Sequence, residues 1–234
     1  MSAVGVTGST ASVQEAGPGS TPRAALQSLQ VKPIPVMVAK ELLEREHYLH
    51  SLPGGTKLTF GIFCNQRLMG ALALGAGPPL AYRLVNGATL DDCVALTRLW
   101  LSDELPRNSE SRVLGIVLRA LRRNTSLKFL ISYADPSVGH LGTIYWASNW
   151  LYTGLSEAMP LYDLGDGIAR HSRSVGHSYG SHSLKYLARN GAKVKLVPQA
   201  AKHRYIYFLD RSWQCHLKVS ILPYPRKEES NASS

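Results

Sequence analysis

Apolar side chains occupy every second position of residues 127–133. A period of two, rich in β-preferring residues, predicts a half-buried strand. The strand ends at Asp135, because Pro136 cannot donate to a sheet ladder and favours an extended residue before it. Residues 140–150 have the spacing of an amphipathic helix, and residues 150–155 predict another strand. Polar side chains therefore gather where the first strand ends, the usual place for ligands in open α/β sheets.

The same patterns predict the remaining elements. They are a short strand near residue 31, a helix from about residue 38, a hairpin of residues 58–63 and 68–74, strands at 82–86, 89–100, 193–197 and 205–209, and helices at 109–123 and 183–189. This order predicts an α/β (α+β) protein with a mixed, largely antiparallel sheet and helices on both faces.

Composition divides the chain into three parts. Residues 1–28 are rich in Gly, Ser, Thr, Ala and Pro, which predicts a disordered leader. Residues 29–221 form one folded domain, in which the polar stretch 156–182 is expected to be a basic loop, and residues 222–234 are expected to be a flexible tail. No signal peptide or membrane-spanning run is present, and three widely spaced cysteines indicate reduced thiols in a cytoplasmic protein.

Charge is distributed unevenly. Residues 1–110 contain 9 basic and 9 acidic residues, so the whole formal charge of +10 arises from residues 111–234. A solvated basic surface is one interpretation. A one-sided excess on a single domain is also the electrostatic signature of a protein that binds nucleic acid, which is the interpretation favoured here.

Several residues are candidates for catalysis. Asp135 at the strand end could orient or deprotonate a substrate, or it could simply cap a turn. His47 and Tyr48, at a predicted helix end, could supply acid, base or oxyanion contacts, or belong to the core. A substrate pocket at this strand end could be lined by Ser132, Tyr133 and Tyr145. His47 and Asp135 could also provide two ligands of an iron(II) facial triad, although no third ligand is evident.

Two further groups are candidates for binding phosphate. The start of the helix after residue 107 offers backbone amides and polar side chains for a donor phosphate, from Arg107, Asn108, Ser109 and Ser111. A plain capped helix is the alternative. The candidates for contacts with DNA are Arg170, Arg173, Lys202 and Arg204, with Tyr133 or Tyr152 as a ring that could stack on an extruded base.

These motifs resemble the GNAT-like acyltransferase fold and, more narrowly, the Mom family of DNA-modification proteins of phages such as Mu. The residues that carry the resemblance span about residues 35–210 and are His47, Tyr48, His50, Pro53 and Gly55; residues 108–111; residues 132–135; Gly139, His140 and residues 142–145; Asn149, Tyr152 and Gly154; and residues 203–205.

The resemblance implies an enzyme of the host cytoplasm that converts adenine in double-stranded DNA to its carbamoylmethyl derivative and so protects phage DNA from restriction. Residues 107–112 read Arg-Asn-Ser-Glu-Ser-Arg, where acetyltransferases have a Gly-rich pyrophosphate loop. This departure weighs against acetyl-CoA as the donor.

The chemistry of the product suggests another donor. Carbamoylmethyl-adenine is an isomer of glycyl-adenine, so acyl transfer from glycyl-tRNA followed by rearrangement through a five-membered ring would give it. Acetyl-CoA would need a nitrogen source and a change of oxidation level, with iron as a candidate cofactor. The alternatives to a DNA-modifying enzyme are a small-molecule or protein N-acyltransferase using acetyl-CoA and a non-catalytic DNA-binding module. The sequence leaves the oligomeric state open.

Overall fold

A computed structural model of the protein describes residues 29–226, apart from the side chain of Arg173. The strands are β1 (Gln30–Pro33), β2 (Thr56–Cys64), β3 (Arg67–Gly75), β4 (Cys93–Leu101), β5 (Phe129–Ala134), β6 (Leu151–Leu155), β7 (Leu161–Asp163), β8 (Lys195–Val197) and β9 (His203–Phe208). The α-helices are α1 (Val36–Glu46), α2 (Ser109–Asn124), α3 (Thr143–Ala147), α4 (Ser172–Tyr179) and α5 (Leu184–Arg189). The predicted leader, residues 1–28, lies outside the described residues.

Seven strands form one sheet in the order β1-β2-β3-β4-β5-β9-β6, and β7 and β8 form a separate pair. Only β4 and β5 are parallel neighbours among these described strands; the other adjacent strands are antiparallel. The predicted mixed, largely antiparallel sheet is confirmed.

Side chains along β3 alternate between the two faces of the sheet, and a different helix covers each face. Leu72 and Leu74 point toward the buried stripe of α2 in the largest core cluster. Ala71 and Ala73 point the other way and pack against Leu43 and its neighbours in α1. The helices therefore cover opposite faces, as predicted.

A β-bulge in β4 lies beside the end of the parallel pairing. Ala73 pairs with Arg98 while Leu74 pairs with Leu96, so Thr97 is an extra residue. A bulge reverses which face the following side chains point to. The β4–β5 pairing also ends at Leu96, opposite Ser132. Beyond this point β4 pairs only with β3, and β5 pairs only with β9, so the sheet opens between them.

Some predicted elements differ from the structure. The helix expected at residues 140–150 spans only Thr143–Ala147, because Gly139 and Gly142 adopt left-handed conformations (φ 74° and 77°) that interrupt regular helix. Residues 82–86 contain a 3-10 turn, Ala81–Leu84, instead of a strand. The segment 156–182 is not a loop throughout, since it contains β7 and α4.

The last two predicted strands, at residues 193–197 and 205–209, do not pair with each other. β8 pairs with β7, whereas β9 inserts between β5 and β6. Residues 222–226, expected to belong to a flexible tail, are anchored: the Leu222 amide donates to the Tyr152 carbonyl (2.9 Å), and the Tyr224 hydroxyl donates to the Trp150 carbonyl. Within the described range, no helix has the length and apolar character needed to cross a bilayer.

Candidate active site at the opening of the sheet

Asp135 lies directly after β5 and is held by two different partners. Oδ1 accepts hydrogen bonds from the amide (3.0 Å) and hydroxyl (2.5 Å) of Ser137, and Oδ2 lies 2.8 Å from Lys202 Nζ. Burial opposes ionisation, but the bonds from Lys202 and Ser137 outweigh it and hold the pKa of Asp135 below its usual value. Asp135 is therefore a fixed carboxylate, well suited to accept hydrogen bonds and weak as a base.

His47 ends α1 and is buried. Its Nδ1 accepts a hydrogen bond from the Leu49 amide (3.1 Å), so neutral His47 has its proton on Nε2. Burial, together with the positive charge of Arg98 and the neighbouring His140 and His50, lowers the pKa of His47 to about 4. At neutral pH His47 is a neutral hydrogen-bond donor through Nε2.

Tyr48 forms an exposed aromatic surface beside His47. Its ring stacks on His47 with 4.5 Å between centroids, and it lies perpendicular to the ring of His140 with 5.2 Å between centroids. About 45% of Tyr48 is exposed. Burial of the phenol and the charge of Asp135 raise the pKa of Tyr48, with Arg98 acting in the opposite direction. The rings therefore lie in the same electrostatic environment as Asp135.

Arg98 is a site residue that the sequence analysis did not single out. The bulge at Thr97 turns it to the α1 face, where its guanidinium donates to the carbonyl (2.8 Å) and hydroxyl (3.2 Å) of Ser51. It therefore holds the segment after Tyr48 against β4. An arginine inside the otherwise apolar stretch 93–101 was the available signal.

Ser132 and Tyr145 form a buried hydroxyl pair at the point where β4 and β5 separate. Ser132 Oγ lies 2.7 Å from Tyr145 Oη and 3.0 Å from the Leu96 carbonyl oxygen. Ser132 has one hydroxyl proton and a carbonyl only accepts, so Ser132 donates to Leu96 and Tyr145 donates to Ser132. Burial raises the pKa of Tyr145 to about 12, which keeps it protonated. The next residue, Tyr133, is half-buried against the apolar cluster on the other face.

The predicted iron ligands do not fit an iron site. Both carboxylate oxygens of Asp135 are engaged, one by the Lys202 ammonium, and His47 retains only a protonated Nε2. Across residues 29–226, no three His, Cys, Asp or Glu side chains are grouped to hold a metal.

The predicted donor-phosphate residues lie at the start of α2, after β4. Arg107 and Asn108 are exposed. Ser109 is buried, however, and its hydroxyl donates to the Pro106 carbonyl (2.6 Å), while that of Ser111 donates to the Asn108 carbonyl (3.1 Å). The two serine hydroxyls thus stabilise the turn, so only Arg107 and Asn108 offer exposed side chains to a donor.

Most residues predicted to contact DNA already have partners within the protein. Arg170 forms a two-pronged ion pair with Asp166, and Arg204 donates to the side chain and carbonyl of Thr153. Lys202 belongs to the Asp135 pair. Only the backbone of Arg173, in α4, lies within the described part of the chain.

Tyr152 was predicted to stack on a base, but it lies in the core. Its side chain is 8% exposed, its hydroxyl is 2.9 Å from His203 Nδ1, and its ring packs against Tyr205. The ring of Tyr48, by contrast, is about 45% exposed.

A cavity of about 260 Å³ lies beside α3 and is separate from the predicted site residues. It is lined by Leu141, Gly142, Thr143, Trp146, Tyr205, Tyr224, Pro225 and Arg226. The candidate active site is therefore an open surface next to this cavity.

The chain is similar to several known proteins. A methylcarbamoylase, Mom, of Escherichia phage Mu is 30% identical over 207 residues, which cover 86% of this chain and 85% of that protein. The solved structure of a GNAT family N-acetyltransferase (YhbS) from Escherichia coli in complex with CoA covers 83% of this chain and 90% of its own, with 12% identity and a TM-score of 0.45. An N-acetyltransferase from Staphylococcus aureus Mu50 covers 77% and 97%, with 13% identity and a TM-score of 0.43.

The family profile described as the Mom protein family matches residues 28–226, which include every described element of the fold. The relative from phage Mu covers 86% of the chain at 30% identity. The chain belongs to the Mom protein family.

Proposed function

We propose that the protein is a phage DNA-modifying enzyme that places a carbamoylmethyl group on the exocyclic nitrogen of adenine. The observation that carries this proposal is the fixed Asp135–Lys202 pair beside the exposed ring of Tyr48, at the opening of the sheet. It occurs in a chain whose relative is named a methylcarbamoylase. The enzyme would act inside the infected host cell, where it would protect phage DNA from restriction.

Tyr48 provides a surface for an adenine that has been rotated out of the duplex. Enzymes that modify a base extrude it and stack it on aromatic side chains. The ring of Tyr48 is exposed while His47 stacks on it and His140 packs perpendicular to it. Asp135, a carboxylate at neutral pH, then accepts a hydrogen bond from the amino group and orients its lone pair toward the donor.

Acyl transfer from a glycyl ester supplies the new atoms. The exocyclic nitrogen attacks the ester carbonyl carbon, the carbon–nitrogen bond forms, and the carbon–oxygen bond to the carrier breaks. The proton lost by the amino group ends on the leaving hydroxyl of the carrier. The hydroxyls of Tyr145 and Ser132 are buried and their chain of hydrogen bonds ends at the Leu96 carbonyl, so they hold the opening between β4 and β5 in place and do not carry this proton.

An isomerisation completes the product without any oxidant. The free glycyl amine attacks the ring carbon that bears the exocyclic nitrogen, through a five-membered ring, and the original carbon–nitrogen bond to the purine breaks. The glycine nitrogen now joins the purine, and the original adenine nitrogen becomes the terminal amide. No atoms are gained or lost in this step.

Acetyl-CoA is the alternative donor. The E. coli N-acetyltransferase to which the chain is similar was solved in complex with CoA. Here, however, Ser109 and Ser111 direct their hydroxyls into their own turn. An acetyl group would also need a nitrogen source and a change of oxidation level, which the glycyl route avoids.

The experiment is mass spectrometry of nucleosides from cells that express the protein and are fed glycine labelled with heavy nitrogen. Because glycine also supplies one ring nitrogen of every purine, the glycyl route predicts modified adenine with one heavy nitrogen more than the unmodified adenine of the same DNA. Loss of the terminal amide during fragmentation should leave that label on the base. Modified adenine with no more label than unmodified adenine would overturn the glycyl donor, and unmodified DNA in cells containing folded protein would overturn the function itself.

A further inference from the structure

The outer face of α2 presents a line of arginines that the candidate active site does not use. Arg112, Arg119 and Arg123 are exposed and spaced seven and four residues apart. With 3.6 residues per turn these positions fall on one side of the helix, and at 1.5 Å per residue the line is about 16 Å long. The only acidic residue of α2 is Glu110.

These arginines keep their charge available. None of the salt bridges among residues 29–226 involves Arg112, Arg119 or Arg123. This contrasts with Arg170, whose charge is paired with Asp166. Arginine at exposed sites binds phosphate well because its planar fork of donors matches two phosphate oxygens. The line therefore fits a phosphodiester backbone.

The position of α2 distinguishes this surface from the side where adenine would bind. α2 packs on the Leu72 and Leu74 face, whereas α1, which delivers His47 and Tyr48, packs on the Ala71 face. The sheet lies between them. A straight duplex that presents a base to Tyr48 cannot also lie along the outer face of α2.

The direction of the line relates it to the opening of the sheet. α2 follows β4, and parallel β4 and β5 end at the same edge. Arg112 in the first turn is therefore nearest the opening, and Arg123 is farthest from it. A polyanion bound along the line would extend away from the site with one end at the opening. The phosphates of a CoA-sized donor placed at the first turn would not extend to the last arginines.

We infer that the arginine line of α2, formed by Arg112, Arg119 and Arg123, docks the RNA that carries the activated acyl group, with the acylated end of that RNA at the opening between β4 and β5. This inference rests on the proposed function, because it identifies the carrier used in the acyl transfer.

The test compares two charge-matched variants of the full chain. The first carries Arg112→Gln, Arg119→Gln and Arg123→Gln, which keep good helix formers in α2. The control carries Lys185→Gln, Arg189→Gln and Lys193→Gln, exposed positions in and after α5. The probes are an RNA hairpin with a single-stranded 3′ end and a DNA duplex of the same sequence, titrated over a range of salt concentrations. Circular dichroism confirms that both variants are folded.

We expect the α2 variant to bind the RNA hairpin about tenfold or more weakly, with the slope of log affinity against log salt reduced by about 2. DNA affinity of the α2 variant and RNA affinity of the control should stay within about twofold of wild type. Loss of DNA binding alone, equal loss for both probes, an equal effect of the control, or no effect would each overturn the inference.

Labelling in cells separates the two proposals. Wild-type protein that leaves adenine unmodified defeats the proposed function, whatever the RNA measurements show. Wild-type protein that modifies adenine, together with an α2 variant that does so equally well and binds RNA normally, defeats only the docking surface.

Discussion

The ammonium group of Lys202 lies 2.8 Å from Oδ2 of Asp135, although the two residues come from different segments of the chain: Asp135 follows β5, and Lys202 precedes β9. The side chain of Lys202 is 28% exposed and that of Asp135 is 12% exposed, so solvent only partly screens the pair. Because Ser137 holds the other oxygen, the carboxylate is fixed in direction as well as in charge. This combination leads to the first prediction.

Replacing Asp135 with Asn should abolish most modification while leaving the fold intact. Asparagine can still accept the hydrogen bonds of Ser137, but it lacks the charge that pairs with Lys202 and orients the substrate amino group. We expect modified adenine to fall by about 100-fold or more, measured as nucleosides by mass spectrometry.

Asp210 offers a matched control for this variant. It accepts from the amide and hydroxyl of Ser212 (3.1 and 2.6 Å) and lies 3.7 Å from Lys128 Nζ, which repeats the Asp135 arrangement away from the opening. Asp210→Asn should keep nearly full modification. Equal losses in the two variants would show that Asp135 acts only on local structure.

Acidification should destabilise the protein through His47. Its pKa of about 4 in the folded state lies below the ordinary 6.5, so the unfolded chain binds the additional proton. Stability is thus fully present above pH 6.5 and is lost as the pH falls toward about 4, by about 2–3 kcal/mol. Urea unfolding at several pH values measures this loss.

In His47→Gln, which can still accept from the Leu49 amide, the same titration should be flatter. The remaining dependence would include His203, whose pKa is also lowered by burial. An unchanged pH dependence in His47→Gln would contradict the assignment.

Removing either hydroxyl of the Ser132–Tyr145 pair should destabilise the protein, but by different amounts. Ser132→Ala leaves the Leu96 carbonyl and the Tyr145 hydroxyl without their partner in a buried place, costing about 1–3 kcal/mol. Tyr145→Phe leaves the Ser132–Leu96 bond intact and should cost less, although modification should fall. Urea denaturation gives both values; a larger loss for Tyr145→Phe would reverse the assigned donor directions.

Two glycines in the turn after Asp135 allow the cost of backbone strain to be measured apart from the cost of steric crowding. Gly139 and Gly142 both have positive φ, but a Cβ at Gly142 would lie 2.5 Å from Tyr205 Cε2, while one at Gly139 would meet nothing within 4 Å. The Tyr205 hydroxyl is bonded to the Leu141 carbonyl, so the ring cannot readily withdraw.

Gly139→Ala should therefore cost about 1–2 kcal/mol from backbone strain alone. Gly142→Ala should cost about 3 kcal/mol or more, because overpacking is added to the strain. Thermal or urea unfolding of the two variants provides the comparison. Equal costs would indicate that Tyr205 can move aside.

Local patterns were sufficient to predict much of the fold. Alternation over residues 58–74 predicted the β2–β3 hairpin, and the spacing of residues 113–121 predicted α2, because both patterns depend on neighbours in sequence. The late start of α3 was missed because Gly142 can adopt either helical or left-handed φ, and because Tyr205, which bonds to the Leu141 carbonyl beside it, is distant in sequence.

The site was less predictable because its contacts join distant parts of the chain. Asp135, His47 and Tyr48 could be selected as reactive side chains near element ends. The partners that set their properties could not: Lys202 was assigned to DNA, and Arg98 was not selected at all. Tyr152 was taken for a surface ring because its cross-strand partner His203 cannot be identified from local sequence.

Because Thr97 is an extra residue in β4, even-numbered side chains point to opposite faces of the sheet before and after it. Before it, even-numbered residues such as Leu96 face α2; after it, Arg98 and Trp100 face α1. If β4 kept all nine residues but ran without the bulge, Arg98 would enter the apolar layer under α2 and Leu99 would turn to the α1 face, with no change in composition. The chemistry on each side of β4 therefore depends on where the bulge forms, and not on the identity of the bulged residue.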